Sequence, residues 1–146
     1  MWTTLFDTVN GVGGALERSG LPLVRFEPES LLDTARRRTG LDDFGDPAFR
    51  EPFERLVEAY ASAPHLKTLG RVAARVDLLR LLTNRLHLVD DRKRNPAIAE
   101  VPIERPIFIV SLPRTGTTFL HGLLAADPAN RIPRSWEVMY PSPPPV

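Results

Sequence analysis

The sequence predicts an α/β protein in which a helical region, residues 1–104, precedes the start of a parallel-sheet domain, residues 105–146. Three observations lead to this prediction. Apolar residues recur at helical spacing through most of the first hundred positions, with proline and glycine near the expected helix ends. The apolar run at 107–110 lacks the alternation of a half-buried strand and fits a strand covered on both faces. A turn rich in hydroxyl groups and a second helical pattern follow that run at once.

Proline and glycine positions divide the helical region into four main elements. Residues 3–19 have helical apolar spacing, but three internal glycines predict a weak, frayed helix. Residues 28–40 begin with proline and end with glycine, as helices commonly do. Residues 47–62 follow a capping aspartate, Asp46. A long apolar stripe that begins at Pro64 predicts the longest helix of the chain.

The end of the helical region is marked by a change in composition. A charged connector, residues 90–94, and a short helical turn, residues 96–100, follow the longest helix. Residues 101–106 include two prolines, each of which disfavours helix in the residue before it, so this segment is expected to be extended. The boundary between the two domains is therefore placed between residues 104 and 105.

Composition excludes several classes of function. The net charge of +1 gives no general case for binding nucleic acid or an acidic membrane surface. The lack of cysteine excludes disulfides, cysteine–zinc sites and a thiol nucleophile. Neither His65 nor His87 has a partner at metal-ligand spacing, so no metal site is expected. No apolar run approaches the roughly 20 residues of a membrane span, and no signal peptide is apparent, so we expect a cytoplasmic protein.

The turn after the predicted strand is expected to bind a highly charged anion. Its residues are Pro113, Arg114, Thr115, Gly116, Thr117 and Thr118, and the predicted helix begins at Thr115. A helix start attracts phosphate or sulfate through its unpaired N–H groups and the positive end of its dipole. Arg114 adds a fixed positive charge with several N–H donors.

The turn differs from the phosphate-binding loop of nucleoside triphosphatases. That loop needs the pattern G-x-x-x-x-G-K-[ST]. Here Ser111 stands at the first glycine position and Thr117 stands at the lysine position. Since that lysine normally reaches the β- and γ-phosphates, its absence counts against an ATPase or kinase. A cation is found inside the loop instead, at Arg114.

The stretch P-R-T-G-T-T at 113–118, between an apolar run and a helical pattern, resembles the 5′-phosphosulfate loop of the sulfotransferases that use PAPS (3′-phosphoadenosine 5′-phosphosulfate). The wider stretch 105–128, the dipeptide Trp136-Glu137 and the proline cluster after it are similar to a bacterial, actinobacterial-type branch of that family. The resemblance implies a P-loop-like parallel-sheet domain, PAPS as the sulfuryl donor, an acceptor with a hydroxyl or amine group, and no metal.

The resemblance also implies roles for individual residues. All six residues of the turn are expected to bind the donor, and Arg114 is expected to stabilise the charge that develops during transfer. Two residues are candidates for the base that takes the acceptor's proton. Glu137 is either that base or a surface carboxylate paired with Arg131 or Arg134. His121 is chemically suited to the role, although its place inside the helix favours orienting the loop.

The family's catalytic domain is much longer than residues 105–146. Its 3′-phosphate and adenine contacts would lie beyond residue 146, and a single strand cannot satisfy its own backbone hydrogen bonds. We therefore expect this chain to be an N-terminal fragment without transfer activity of its own. Two alternatives stay open: a phosphotransferase with a degenerate phosphate loop, and a non-catalytic helical interaction module.

Overall fold

The computed structural model describes residues 2–20, 23–112 and 114–142, and every regular element within them is helical. The α-helices are α1 (Trp2–Arg18), α2 (Pro28–Thr39), α3 (Arg50–Ser62), α4 (Thr68–Arg94), α5 (Thr117–Ala125) and α6 (Ser135–Met139). Short 3₁₀ helices cover Pro47–Phe49 and Pro96–Glu100. The chain divides into two compact units, Met1–Asp91 and Arg92–Val146. Over the described part of the chain, no helix is long and apolar enough to cross a membrane.

The first unit is held together by an apolar core from α2, α3 and α4. Leu31, Leu32, Val57 and Leu86 are the largest of its fully buried side chains. Burying one such side chain stabilises the fold by about 1.5–3 kcal/mol relative to leaving it exposed. The helical spacing predicted most of these buried faces. It was wrong for Leu56 of α3 and for Val76 and Leu81 of α4, which are 42%, 58% and 48% exposed.

The entry to α3 is built by a cap and two prolines. The predicted cap is confirmed, because Asp46 Oδ1 accepts a hydrogen bond of 2.8 Å from the backbone N–H of Ala48. That bond begins the 3₁₀ helix Pro47–Phe49, and α3 itself begins at Arg50. Pro52 therefore lies in the first turn of α3, where a residue without an N–H breaks no helical hydrogen bond.

The bounds of α4 differ most from the prediction. The helix predicted to begin at Pro64 begins at Thr68, and the predicted connector at 90–94 is its last turn. Three consecutive cations, Arg92, Lys93 and Arg94, occupy that turn. Positive charge at a helix C-terminus is stabilised by the helix dipole, so this composition suits a helix end as well as a connector.

The first helix contacts the start of α4 through one glycine. Gly13 is buried, and a Cβ added to it would lie 2.1 Å from Thr68 Oγ1. Asn10, three residues earlier, accepts a hydrogen bond of 3.1 Å from the backbone N–H of Leu69 through its Oδ1. The glycines of this segment predicted a frayed helix, whereas Gly13 permits close packing of α1 on α4.

Arg85 of α4 fixes the loop that leads to α3. Its Nε donates to the carbonyl oxygen of Phe44 at 2.6 Å, and its Nη2 donates to that of Asp46 at 3.0 Å. The guanidinium carbon lies 4.1 Å from the centre of the Phe49 ring. The planar guanidinium group can bind two carbonyls and stack on a ring at once, which an ammonium group cannot do.

The second unit corrects the predicted fold class. Its described residues form helices and no strand, so the expected strand–loop–helix of an α/β domain is not observed there. Residues 107–110 are non-helical and unpaired, and Phe108 and Val110 are 81% and 90% exposed. A strand forms only beside a second extended segment that supplies hydrogen-bonding partners. The described residues contain no such partner for this apolar run.

Candidate anion-binding loop and base residues

The loop before α5 contains two residues with left-handed backbone conformation. Arg114 has a φ of 64°, and Gly116 has a φ of 91° and a ψ of 14°. A left-handed conformation costs a residue other than glycine roughly 1–2 kcal/mol. The loop conformation is therefore one that needs support from its own hydrogen bonds. Pro113, which was predicted to be part of the site, lies outside the described residues.

Hydroxyl groups within the loop provide that support. Thr115 Oγ1 donates to the carbonyl oxygen of Leu112 at 2.7 Å, and it is also hydrogen-bonded to Ser111 Oγ. Because Thr115 uses its single hydroxyl proton on Leu112, Ser111 is the donor to Thr115. The only signal for this pair in the sequence is the presence of two hydroxyl residues four positions apart. The Thr115 side chain shapes the loop, so the donor that Thr115 can offer to an anion is its backbone N–H, which has no partner among the described residues.

The N-terminus of α5 leaves backbone donors open. The helix was predicted to begin at Thr115 and begins at Thr117, with Gly116 as its N-cap and without a side-chain cap. The first intrahelical bond runs from Leu120 N–H to the Gly116 carbonyl, at 3.0 Å. The N–H groups of Thr117 and Thr118 therefore have no partner within the helix. Their hydroxyl groups stand at the same helix end, and Thr118 is exposed.

Arg114 places a positive charge next to these donors. Its side chain is exposed, and it makes no hydrogen bond or ion pair with any residue that the structure describes. It precedes Thr115 and Gly116 directly, so one short segment combines a guanidinium group with the positive end of a helix dipole. Such a segment is suited to an anion with several oxygen atoms, such as a phosphate or a sulfate group.

The two candidate bases lie on different helices. His121 is half-buried on α5, one helical turn after Thr117 and therefore on the same side of that helix. Glu137 is the third residue of α6, a helix that the sequence did not predict. An acidic residue in a first turn is a recognised helix signal, but five residues are too few for apolar periodicity to show.

Glu137 is held by two donors. Arg131 Nη2 lies 3.1 Å from Glu137 Oε1, and the backbone N–H of Arg134 donates to Glu137 Oε2 at 2.6 Å. The second bond satisfies the N-cap of α6. Pairing with Arg131 was the alternative to a role as the base, and it does not decide between them, because an ionised carboxylate has about four acceptor positions and these bonds occupy two.

The loop residues 114–118 are contiguous, and His121 and Glu137 belong to the same unit, Arg92–Val146. Within the described ranges, no three His, Asp or Glu side chains come close enough together to hold a metal ion. The chemistry available to these residues is anion binding by Arg114 and the α5 N-terminus, and proton transfer by a carboxylate or an imidazole.

Comparisons with known proteins point in the same direction. Residues 106–144 match a family model described as Sulfotransferase family. The chain is 40% identical in sequence to sulfotransferase STF1 from Mycobacterium tuberculosis H37Rv, which has a crystal structure. The match covers 81% of this chain and 33% of the STF1 chain, and the TM-score is 0.71. The chain is also 30% identical in sequence to sulfotransferase STF9 from Mycobacterium avium, again of known crystal structure. This match covers 79% of this chain and 29% of the STF9 chain, with a TM-score of 0.70.

None of the functionally curated proteins matches the chain significantly. The chain spans about a third of the length of the solved structures it matches. The loop described above lies inside the segment that matches the family model.

Proposed function

We propose, from the similarity of this chain to bacterial sulfotransferases, that the complete protein transfers a sulfuryl group from PAPS to an acceptor hydroxyl or amine. The observation that carries the proposal is the loop at 114–118. There, Arg114 and the open N–H groups of α5 form one cationic helix start. The anion in the proposal is the 5′-phosphosulfate group of the donor.

The transfer is a displacement at sulfur. The acceptor oxygen or nitrogen forms a bond to sulfur while the bond from sulfur to the bridging phosphate oxygen breaks. The leaving nucleotide, PAP (3′-phosphoadenosine 5′-phosphate), keeps the bonding electron pair, and the acceptor proton passes to a base. Negative charge therefore increases on the leaving phosphate.

Each loop residue has a distinct part in this proposal. Arg114 neutralises the charge that increases on the phosphate, and charge-assisted hydrogen bonds of this kind are worth roughly 1.5–3 kcal/mol. Thr117 and Thr118 supply backbone N–H and hydroxyl donors, and Gly116 supplies the left-handed turn between them and Arg114. Thr115 supplies a backbone N–H and, through its hydroxyl, the shape of the loop.

Glu137 is the base in this proposal, and His121 orients the loop from the second turn of α5. The support for Glu137 is its ordered carboxylate, which is half-buried and retains acceptor positions for a proton. His121 lies on the same side of α5 as Thr117, which suits contact with the loop. Glu137→Gln is expected to abolish transfer and His121→Asn to weaken it.

Arg114→Ala in the complete protein tests the role of the loop. It should weaken PAP binding about 10- to 100-fold, in line with the loss of one charge-assisted contact. Arg105→Ala is the matched control, because Arg105 is also an exposed arginine with a left-handed φ, of 50°. Calorimetric titration with PAP measures both. Equal affinities for the two variants would contradict the assignment and favour a non-catalytic module.

The competing function is phosphotransfer by a degenerate phosphate loop. Titration of the complete protein with PAP and with ATP–Mg²⁺ separates the two, since the proposal expects tight binding of PAP alone. A strict requirement for magnesium in the transfer reaction would refute the sulfotransferase assignment.

Residues 1–146 by themselves are expected to bind PAP weakly and to lack transfer activity. Two observations support this expectation. The chain covers about a third of its solved relatives, and its described residues provide no pairing partner for the exposed apolar run at 107–110. Transfer of radiolabelled sulfate by the purified chain would overturn it.

A further inference from the structure

We propose that Arg131 is a positioning residue that fixes the orientation of the Glu137 carboxylate for proton transfer. This inference rests on the proposed function, in which Glu137 is the base. The observation behind it is that the two oxygen atoms of this carboxylate are held by donors of different kinds: a side chain, from Arg131, and a backbone N–H, from Arg134.

The backbone bond alone does not fix the carboxylate. The Arg134 N–H holds Oε2 at 2.6 Å, and this contact locates one oxygen relative to the start of α6. With only Oε2 held, the carboxylate can still pivot about that oxygen through coupled changes in the side-chain torsions, of which the terminal one is broad in glutamate. The contact of Arg131 Nη2 with Oε1, at 3.1 Å, restrains the second oxygen and so sets the plane.

The plane matters because a base must present a free lone pair along the direction of the proton it takes. Two of the roughly four acceptor positions of the carboxylate are occupied by the observed bonds. The lone pairs at the remaining acceptor positions lie in the plane of the carboxylate, so the orientation that Arg131 gives to this plane decides where they point. Misplacing a catalytic group by about 1 Å can cost on the order of 100-fold in rate.

The solvent exposure of the Arg131 side chain indicates that its ion pair with Glu137 contributes little to the stability of the fold. The side chain of Arg131 is 81% exposed, whereas that of Glu137 is 26% exposed. Exposed ion pairs contribute only about 0–1 kcal/mol to stability. Removal of the Arg131 side chain should therefore leave the fold intact and affect turnover.

The test compares three single variants of the complete protein, Arg131→Ala, Arg131→Lys and Arg134→Ala. Transfer of radiolabelled sulfate is measured with the acceptor on which the wild-type protein is most active in a panel of phenols, alcohols and amines. Arg131→Ala should lower kcat at least 10-fold and leave the KM for PAPS within about twofold. Arg131→Lys should restore most of kcat, because an ammonium group can hold a single oxygen.

Arg134→Ala is the matched control. It removes the same charge three positions away and keeps the backbone N–H that holds Oε2. Its kcat should stay within about twofold of wild type. Equal kcat for Arg131→Ala and wild type, or an equal loss in the Arg131→Ala and Arg134→Ala variants, would overturn the positioning role.

Glu137→Gln and Arg114→Ala distinguish this failure from failure of the proposed function. If Glu137→Gln is inactive while Arg131→Ala is fully active, the base is correctly assigned and only the positioning role is refuted. If Glu137→Gln remains active and Arg114→Ala is impaired, Glu137 is not the base and the positioning role is refuted with it. If Arg114→Ala keeps wild-type activity and wild-type affinity for PAP, the proposed use of the loop is refuted independently of Arg131.

Discussion

Gly13 of α1 lies against Thr68 of α4 at a distance that leaves no room for a side chain. A Cβ at Gly13 would lie 2.1 Å from Thr68 Oγ1 and 2.8 Å from Thr68 Cβ. A change of the threonine rotamer cannot relieve the second contact, because the position of Cβ is set by the backbone. The approach of α1 to α4 therefore depends on glycine at this position.

Gly13→Ala should lower the free energy of unfolding of the first unit by about 1–3 kcal/mol, the usual cost of overpacking a close contact. Gly11→Ala is its control in the same helix, since an added Cβ there meets nothing within 4 Å. That change should be neutral or stabilising by up to about 1 kcal/mol, because alanine favours helix more than glycine does. Denaturant unfolding followed by circular dichroism measures both, and equal midpoints would show that α1 does not need this contact.

Gly45→Ala should destabilise the protein through both conformation and contact. Gly45 has a φ of 74°, and a Cβ on it would lie 2.9 Å from Val89 Cγ2. Gly40→Ala provides the comparison, because Gly40 has a similar φ of 70° and open space around it. We expect each change to cost roughly 1–2 kcal/mol for the left-handed conformation, with a further cost only at Gly45.

The double variant Gly45→Ala with Val89→Ala isolates the contact term. Removing the Val89 methyl groups should recover the extra cost at Gly45, so the two changes should be less destabilising together than the sum of their separate effects. Strict additivity of the free energies of unfolding would show that the contact is relieved in another way.

Arg85→Lys should destabilise the loop before α3, although it conserves charge. Lysine cannot reproduce the two carbonyl hydrogen bonds and the stacking on Phe49, so a loss of about 1–2 kcal/mol is expected. Arg55→Lys is the control, because Arg55 makes an exposed pair with Glu51 in which lysine can replace it. Thermal unfolding should show a lower Tm for Arg85→Lys alone, and a similar change in both variants would contradict the role of the guanidinium plane.

Thr115→Val should weaken PAP binding by the complete protein, by an expected factor of about 10, whereas Thr115→Ser should bind nearly as well as wild type. Valine keeps the shape of threonine but removes the hydroxyl that donates to the Leu112 carbonyl and accepts from Ser111. The loss of one hydrogen bond with a partner left unsatisfied is worth roughly 1–3 kcal/mol. Similar affinities of the valine and serine variants in calorimetry would indicate that the loop keeps its shape without the hydroxyl.

Local features of the site were predictable because they depend on residues close in the sequence. The P-R-T-G-T-T stretch specified a loop, a helix start and a cation, and the match of residues 106–144 to a sulfotransferase family model confirms the resemblance of this stretch to bacterial-type sulfotransferases. The helix at 28–40 was predicted almost to its ends, because Pro28 and Gly40 have strong preferences of their own. The roles assigned to Arg114, His121 and Glu137 remain predictions.

Tertiary structure decided the features that depend on partners distant in the sequence. By itself, the sequence determined that 107–110 is apolar enough for a buried strand, but pairing requires a neighbouring segment, and the described residues supply none. Likewise, glycine at position 13 indicated only a weak helix, and the position of Thr68 against it made that glycine a packing requirement. Even the nearby hydroxyls of Ser111 and Thr115 meet only because the chain turns between them, where Arg114 has a φ of 64°. In each case the residue type sets what a position can do, and the partner brought to it by folding sets what it does.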